Sequence, residues 1–290
     1  MGISFVTVRD RPDLVRPMWD LPTPWPTFMQ QDVVAEFCYD LMPVRYPEYQ
    51  LLAVDGDQVR ARVNAVPFAW SGADVDLPEN GWDFALGMAF RPEMPEAATA
   101  VCLIEARIHP DMAGTGLGTG LLLAARENAA ALGYSHLLAP LRPTRKHLEP
   151  DMSIEEYVRR IRPDGSAFDP WLRSHLRLGG RLARICHSAM TIAGSLAEWR
   201  VWTGLPFDTS GTVHVDGALN PVHVSVENDY AVYVEPNVWI VHNTGRGCPR
   251  VCVCGGRRSA GGRHREGHHP RRSGRRVRPG LGRPRADPVG

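Results

Sequence analysis

The sequence has a single lysine, no long apolar run and few cysteines, and each lack excludes a class of protein. A phosphate-binding loop of the G-x-x-x-x-G-K-[ST] type needs a lysine after its last glycine, and Lys146 does not stand in such a motif. No stretch approaches the roughly 18 apolar residues of a membrane span. The N-terminal apolar stretch is interrupted by Arg9 and is too short for a signal peptide. We therefore predict a cytoplasmic protein with no membrane contact.

The six cysteines do not suggest a disulfide framework. Cys38, Cys102 and Cys186 stand singly in apolar surroundings, which is typical of small buried side chains in a reducing compartment. The three cysteines between residues 248 and 254 have a C-x-x-x-C-x-C spacing that fits none of the standard pairs of zinc ligands. We therefore predict no metal site.

Composition changes near residue 245. Residues 246–290 contain thirteen arginines and two acidic residues, a charge of about +11, so residues 1–245 carry about −10 of the net charge of +1. The C-terminal stretch has almost no large apolar side chains to offset the entropy of ordering. We predict one domain over 1–245 and a disordered Arg/Gly/Pro-rich tail over 246–290. The tail is either a basic arm for a polyanion or a frameshift product, and we favour the frameshift, so nucleic-acid binding is not expected.

A glycine-rich segment joins a predicted strand to a predicted helix. The strand spans 99–108 (TAVCLIEARI) and the helix spans 117–132, where Gly133 ends it. Glycines permit positive φ and close approach of a ligand, so the backbone N–H groups of such a segment can converge on an anion. The G-x-G-x-x-G dinucleotide pattern is excluded, because its third glycine would fall at Thr119 or Leu121.

The segment Ile108-His-Pro-Asp followed by Ala113-Gly-Thr-Gly-Leu-Gly resembles the acetyl-coenzyme A motif of the GCN5-related N-acetyltransferases (GNAT). In that motif [RQ]-x-x-G-x-[GA] precedes a helix, and here Ala113 replaces the usual Arg or Gln. The resemblance implies acetyl-CoA, or another acyl-CoA, as cosubstrate, with its pyrophosphate at Ile108, Ala113, Gly114, Thr115, Gly116, Leu117, Gly118 and Thr119. The alternative is a tight turn that merely joins a strand to a helix.

The same resemblance implies the fold. We expect an α/β protein with a mixed sheet, in which the central strand and the next parallel strand, 136–141, splay apart to admit acyl-CoA. A hairpin over 50–54 and 59–68 leads to the central strand. Further strands are expected near 188–192, 222–227 and 230–233, and residues 71–95, with their Pro and Gly, are expected to form a loop insertion.

Two residues are predicted to be catalytic. Glu105 lies within the central strand, where many relatives carry a carboxylate, so it either binds the substrate amine or acts as general base. The alternative for Glu105 is an ion pair with Arg107 or another arginine. His175 stands four residues before Gly179, where the family carries a Tyr that acts as acid toward the coenzyme thiolate. A histidine can also donate a proton at neutral pH, and the alternative is a helix histidine with a structural role.

These features predict an acyltransferase that moves an acetyl or other acyl group from acyl-CoA to a small-molecule or peptide amine by direct attack in a ternary complex. The alternative is an acyl-CoA-binding sensor or interaction module without turnover, which the replacement at Ala113 and the missing Tyr favour. The sequence does not predict the acceptor or the oligomeric state.

Overall fold

A mixed β-sheet runs through residues 2–245, the part of the chain that the computed structural model describes. Its strands are β1 (Ser4–Thr7), β2 (Leu51–Asp55), β3 (Gln58–Phe68), β4 (Ala100–Ile108), β5 (His136–Leu141), β6 (Arg181–Gly194), β7 (Gly211–Val213), β8 (Val222–Ser225) and β9 (Tyr230–Asn243). They follow the order β1-β2-β3-β4-β5-β9-β8-β7, and β6 also pairs with β9. β4 and β5 are parallel, whereas the other pairs are antiparallel. The predicted α/β fold with a mixed sheet is confirmed.

Helices cover this sheet. The α-helices within the described range are α1 (Val15–Trp19), α2 (Val33–Cys38), α3 (Met42–Arg45), α4 (Gly81–Ala89), α5 (Met94–Ala97), α6 (Leu117–Ala131), α7 (Ile154–Arg159), α8 (Pro170–Arg177) and α9 (Leu196–Thr203). Short 3-10 turns lie between several of them. Helix α6 packs on β2 to β5, and α4 packs on β3, β4 and β6. The helix predicted after the glycine segment is therefore present and packs on the central strands.

The prediction of a loop over 71–95 is wrong, because α4 and α5 lie there. Gly81, counted as a loop signal, lets the first turn of α4 approach the sheet, since a Cβ at this position would lie 2.8 Å from the Cys186 Sγ atom. Ala85, Leu86 and Ala89 then bury one face of the helix.

Strands β6 and β9 are also longer than expected, at 14 residues each. β9 pairs with β6 along one edge, while its other edge is shared by β8 near Ala231 and by β5 from Val238 to Asn243. Pairing on both edges explains the length of β9. The sequence did not predict this length, because the partner strands come from distant parts of the chain and a local pattern does not show them.

The central parallel pair splays as predicted. β4 and β5 pair only through Val101 with Leu137 and Cys102 with Leu138. On the β3 side, β4 contains a bulge at Ile104, whose backbone oxygen accepts a 2.8 Å hydrogen bond from the Trp82 indole N–H. Beyond Cys102 the two central strands therefore separate and leave a gap in the sheet.

Within residues 2–245, no helix has the length and apolar character needed to cross a membrane. The tail predicted over 246–290, with its three cysteines, lies outside the described residues.

A pair of acidic residues, the buried Asp32 and the half-buried Asp83, joins α2 to α4. Asp32 caps α2 by accepting a 2.7 Å hydrogen bond from the Ala35 N–H, and Asp83 accepts one from the Thr191 N–H. Burial and the neighbouring Asp32 raise the pKa of Asp83 to about 8. Burial also raises the pKa of Asp32. At neutral pH the pair therefore holds a proton.

Because the folded pKa of Asp83 lies above its unfolded value, the pair stabilises the fold at acidic pH and loses this contribution as pH rises through about 8. An Asp83→Asn variant keeps the acceptor for Thr191 and adds a permanent N–H donor toward Asp32. We expect its melting temperature to match wild type at pH 5 and to exceed it by roughly 2–4 °C at pH 9. Asp164→Asn, at an exposed carboxyl, is the control and gives no alkaline gain. A gain of equal size at both pH values would contradict the shared proton.

Candidate functional site

The gap between β4 and β5 opens into a cavity of about 1320 Å³. β4 lines it from Leu103 to Ile108, and β5 lines it from Ala139 to Leu141. Trp171 and His175 of α8 line another part, and the aromatic side chains that line it are Trp19, Trp25, Tyr39, Trp82 and Trp171. The cavity is therefore built where the sheet lacks hydrogen bonds, so a long ligand can pass between the strands.

The glycine segment forms the turn into α6 next to this cavity. Gly114 and Gly116 have φ values of +76° and +85°, and a Cβ on either would meet open space. Among the described residues, the backbone N–H groups of Gly114, Gly116, Leu117 and Gly118 have no hydrogen-bond partner. Together with the N-terminus of a 15-residue helix, these free donors are a setting that suits a pyrophosphate.

The remaining predicted cofactor residues hold this turn in place. Ile108 ends β4 and lines the cavity, and a Cβ at Gly118 would lie only 3.1 Å from the Ile108 Cδ1 atom. The Thr115 hydroxyl donates a 2.7 Å hydrogen bond to the Met112 backbone oxygen, and the Thr119 N–H donates to the Gly116 oxygen. Ala113 is extended and offers no polar side chain. A pyrophosphate at this segment would therefore be bound by main-chain donors, and the site stays a prediction.

Glu105 lies in the cavity wall between two arginines. Its carboxylate accepts hydrogen bonds from Arg62 at 2.8 Å and from Arg107 at 2.7 Å. Two further donors, the Trp25 indole N–H at 2.7 Å and the Tyr39 hydroxyl at 2.5 Å, complete its surroundings. Each carboxylate oxygen thus has an arginine and one neutral donor as partners.

These contacts set the protonation state of Glu105. Burial acts to raise its pKa, but the charges of Arg62 and Arg107 and the two neutral hydrogen bonds outweigh burial, so the pKa lies below its ordinary value. A carboxylate with a lowered pKa and occupied lone pairs is a weak proton acceptor. The structure places Glu105 in the cavity wall and shows the ion pair with arginine that the sequence left open as its alternative, and its role as base or amine ligand stays a prediction.

His175 of α8 is fully buried and is one of the residues that line the cavity, and its buried Nε2 atom has no hydrogen-bond partner among the described residues. Its Nδ1 atom lies 2.9 Å from the Nε2 atom of His242, which belongs to β9. Burial and His242 lower the pKa of His175 to about 3. The imidazole is therefore neutral at neutral pH, so an imidazolium acid is not available in the free protein, and its catalytic role stays a prediction.

Several other cavity residues were not foreseen from the sequence. Arg62 stands in the apolar strand β3, a position that could have marked it as a partner for a buried charge. Glu235 of β9 accepts a 2.8 Å hydrogen bond from Arg142, which follows β5. Asn237 lines the cavity with a buried Oδ1 atom that has no partner among the described residues. Long-range pairing of β9 brings Glu235, Asn237 and His242 to the site, so no local motif marks these residues in the sequence.

The chain was compared with families of known proteins and with individual proteins. No family model matches the chain. The arginine N-acetyltransferase avaD of Aspergillus versicolor is 32% identical to it over 277 residues, and the match covers 83% of this chain and 94% of the relative.

The chain shares its fold with a solved structure. The loading GNATL domain of CurA from Lyngbya majuscula superimposes with a TM-score of 0.50 at 15% identity, covering 84% of this chain and 98% of that domain. The GphF GNAT-like decarboxylase, solved in complex with isobutyryl-CoA, has a TM-score of 0.49 at 15% identity and covers 84% of this chain and all of that one.

The main-chain donors of the glycine segment can be tested with a matched pair of variants. Gly116→Ala and Gly56→Ala each place a side chain at positive φ with open space around it, but Gly56 lies in the turn between β2 and β3, away from the cavity. We expect both to lower stability by about 1 kcal/mol, and only Gly116→Ala to raise the KM for acetyl-CoA, by roughly tenfold. Initial rates at varied acetyl-CoA measure this. Equal KM values for the two variants would contradict an anion site at this turn.

Proposed function

The chain belongs to the GCN5-related N-acetyltransferase superfamily, and we propose that its acceptor is free arginine or a close analogue that carries both a carboxylate and a cationic side chain. The protein is an N-acetyltransferase that transfers an acyl group from acyl-CoA to an amine. The observation that carries the choice of acceptor is the 32% identity, over most of both chains, to an arginine N-acetyltransferase.

The charges in the cavity support this acceptor. Arg62 and Arg107 share the single carboxylate of Glu105, which leaves one positive charge in excess at this wall. The carboxylates of Glu36, Asp40 and Asp216 also line the cavity, are exposed, and have no ion-pair partner among the described residues. A ligand with a carboxylate and a cationic side chain complements both regions.

Aromatic rings supply further contacts for a cation. Trp25, Trp82 and Tyr39 all line the cavity, and Tyr39 stacks on Trp82 with ring centroids 6.5 Å apart. The face of an aromatic ring attracts a guanidinium or ammonium group. These rings therefore add to the support for a cationic acceptor.

Direct attack by the amine on the thioester is the mechanism that fits these residues. Among the described residues, no cysteine lines the cavity, so a cysteinyl acyl-enzyme has no candidate nucleophile there. In this mechanism Glu105 holds Arg62 and Arg107 in place, and these guanidinium groups receive the carboxylate of the acceptor. Besides binding Glu105, Arg62 donates to the Met18 backbone oxygen and Arg107 donates to the Leu21 backbone oxygen, and each guanidinium group still has further N–H groups for the acceptor.

A panel of three acceptors tests the proposal. Arginine is compared with agmatine, which lacks the carboxylate, and with citrulline, which replaces the guanidinium by a neutral urea. We expect kcat/KM to fall at least tenfold for either analogue, because each leaves one charged region of the cavity unmatched. Release of free thiol measures the rate and mass spectrometry identifies the product. Turnover of agmatine or citrulline at the rate of arginine, or no acetylation of arginine, would overturn the proposed acceptor.

The acidic side of the cavity has its own test. Asp216→Asn removes a carboxylate that lines the cavity, whereas Asp208→Asn removes an exposed one nearby in sequence that does not. We expect Asp216→Asn to raise the KM for arginine several-fold, with little change in kcat or in the KM for acetyl-CoA. The control variant is expected to match wild type. Identical KM values for arginine in both variants would show that Asp216 does not contact the acceptor.

A further inference from the structure

His175 and His242 form a buried pair in which a single proton lies between the two rings. The His175 Nδ1 and His242 Nε2 atoms are 2.9 Å apart, so one donates and the other accepts. Both side chains are almost completely buried. The outer nitrogens, His175 Nε2 and His242 Nδ1, have no partner among the described residues, and His175 is the member that lines the cavity.

Packing fixes the orientation of the His242 ring. A Cβ at Gly180, just before β6, would lie 2.6 Å from His242 Cε1 and 2.8 Å from the His175 backbone oxygen, so a side chain there would displace the ring or the helix end. Arg126 of α6 donates a 2.7 Å hydrogen bond to the nearby Leu178 oxygen. Burial and the positive charge of Arg126 lower the pKa of His242 to about 4. Both rings are therefore neutral at neutral pH.

The pair has two neutral arrangements. With the shared proton on His242 Nε2, both rings carry their proton on Nε2, which is the more stable tautomer of neutral histidine in water. With the proton on His175 Nδ1, both rings adopt the less stable tautomer. The first arrangement leaves an N–H donor at His175 Nε2, and the second leaves a lone pair there.

We propose that His242 is a positioning residue that donates its Nε2–H to His175 Nδ1 and thereby fixes His175 as a neutral hydrogen-bond donor for the sulfur of the leaving coenzyme A. The inference rests on the acyl transfer at this site. In the acyl-transfer step, the acyl carbon forms a bond to the acceptor nitrogen and its bond to the coenzyme A sulfur breaks. The resulting thiolate is stabilised by the His175 Nε2–H. The ammonium proton passes to water, the thiolate takes its proton from water, and His175 keeps its own. A neutral imidazole acting as an electrophile in this way needs no titration between pH 5 and 8.

Nitrogen NMR of the full chain, labelled with ¹⁵N at its 11 histidines, tests the tautomer without any substrate. Spectra of His175→Gln and His242→Gln assign the two rings. We expect both to stay neutral and protonated at Nε2 from pH 8 to pH 5. Titration of His175 within this range, or protonation at its Nδ1, would overturn the proposal.

Kinetics separates hydrogen bonding from proton transfer at His175. Gln keeps a neutral N–H near the Nε2 position but cannot act as an acid, whereas Phe keeps the ring shape without a donor. We expect His175→Gln to retain kcat within about tenfold and His175→Phe to lose about 100-fold, as for loss of one transition-state donor. Equal losses in the two variants would overturn a donor role.

His242 is tested by rescue. His242→Gln can still donate to His175 Nδ1, whereas His242→Glu can only accept when ionised, which moves the proton onto His175 Nδ1 and raises the pKa of His175. We expect kcat to fall about 100-fold for Glu, much less for Gln, with similar KM values for acetyl-CoA in both. Equal kcat values would contradict a positioning role. If a variant does not fold, the NMR of the wild type still decides, and failure to acetylate arginine would count against the proposed acceptor alone.

Discussion

The separation of β4 from β5 after Cys102 is the constraint on which the site depends. A parallel pair with two paired positions leaves backbone groups free further along the strands. One of them, the Ile104 oxygen at the bulge, accepts a hydrogen bond from Trp82. Residues of both strands then line one shared cavity. The glycine turn into α6 stands beside this gap, so the proposed anion site and the cavity for the reacting groups lie along one path.

Electrostatics within the cavity is largely fixed before any ligand binds. Glu105 is held ionised by Arg62 and Arg107, and His175 is held neutral by burial and by His242. Such fixed charges and dipoles need little reorganisation during reaction, which is how enzyme sites lower barriers. The carboxylate that the sequence suggested as base thus has the surroundings of an anchor, and the histidine suggested as acid has those of a neutral donor.

The sequence predicted the parts of the site that depend on local structure. The strand, glycine turn and helix around Gly114 to Gly118 follow from backbone freedom and helix propensity, and they are present. The sequence offered Arg107 as an ion-pair partner of Glu105, but the other partners, Arg62, Trp25 and Tyr39, come from three other segments and could not be read from its neighbours. The same holds for His242, which pairing of β9 brings beneath α8. The helix α4 was missed because Gly81 signals a turn in sequence but allows close packing in the fold.

A crystal structure of residues 1–290 with coenzyme A and arginine bound would test the central claim most directly. We expect the pyrophosphate to lie against the free N–H groups of Gly114, Gly116, Leu117 and Gly118, the thiol to lie between β4 and β5, and the arginine carboxylate to lie at Arg62 and Arg107. Coenzyme A bound outside the gap between β4 and β5, or arginine with its guanidinium against Arg62 and Arg107, would contradict it.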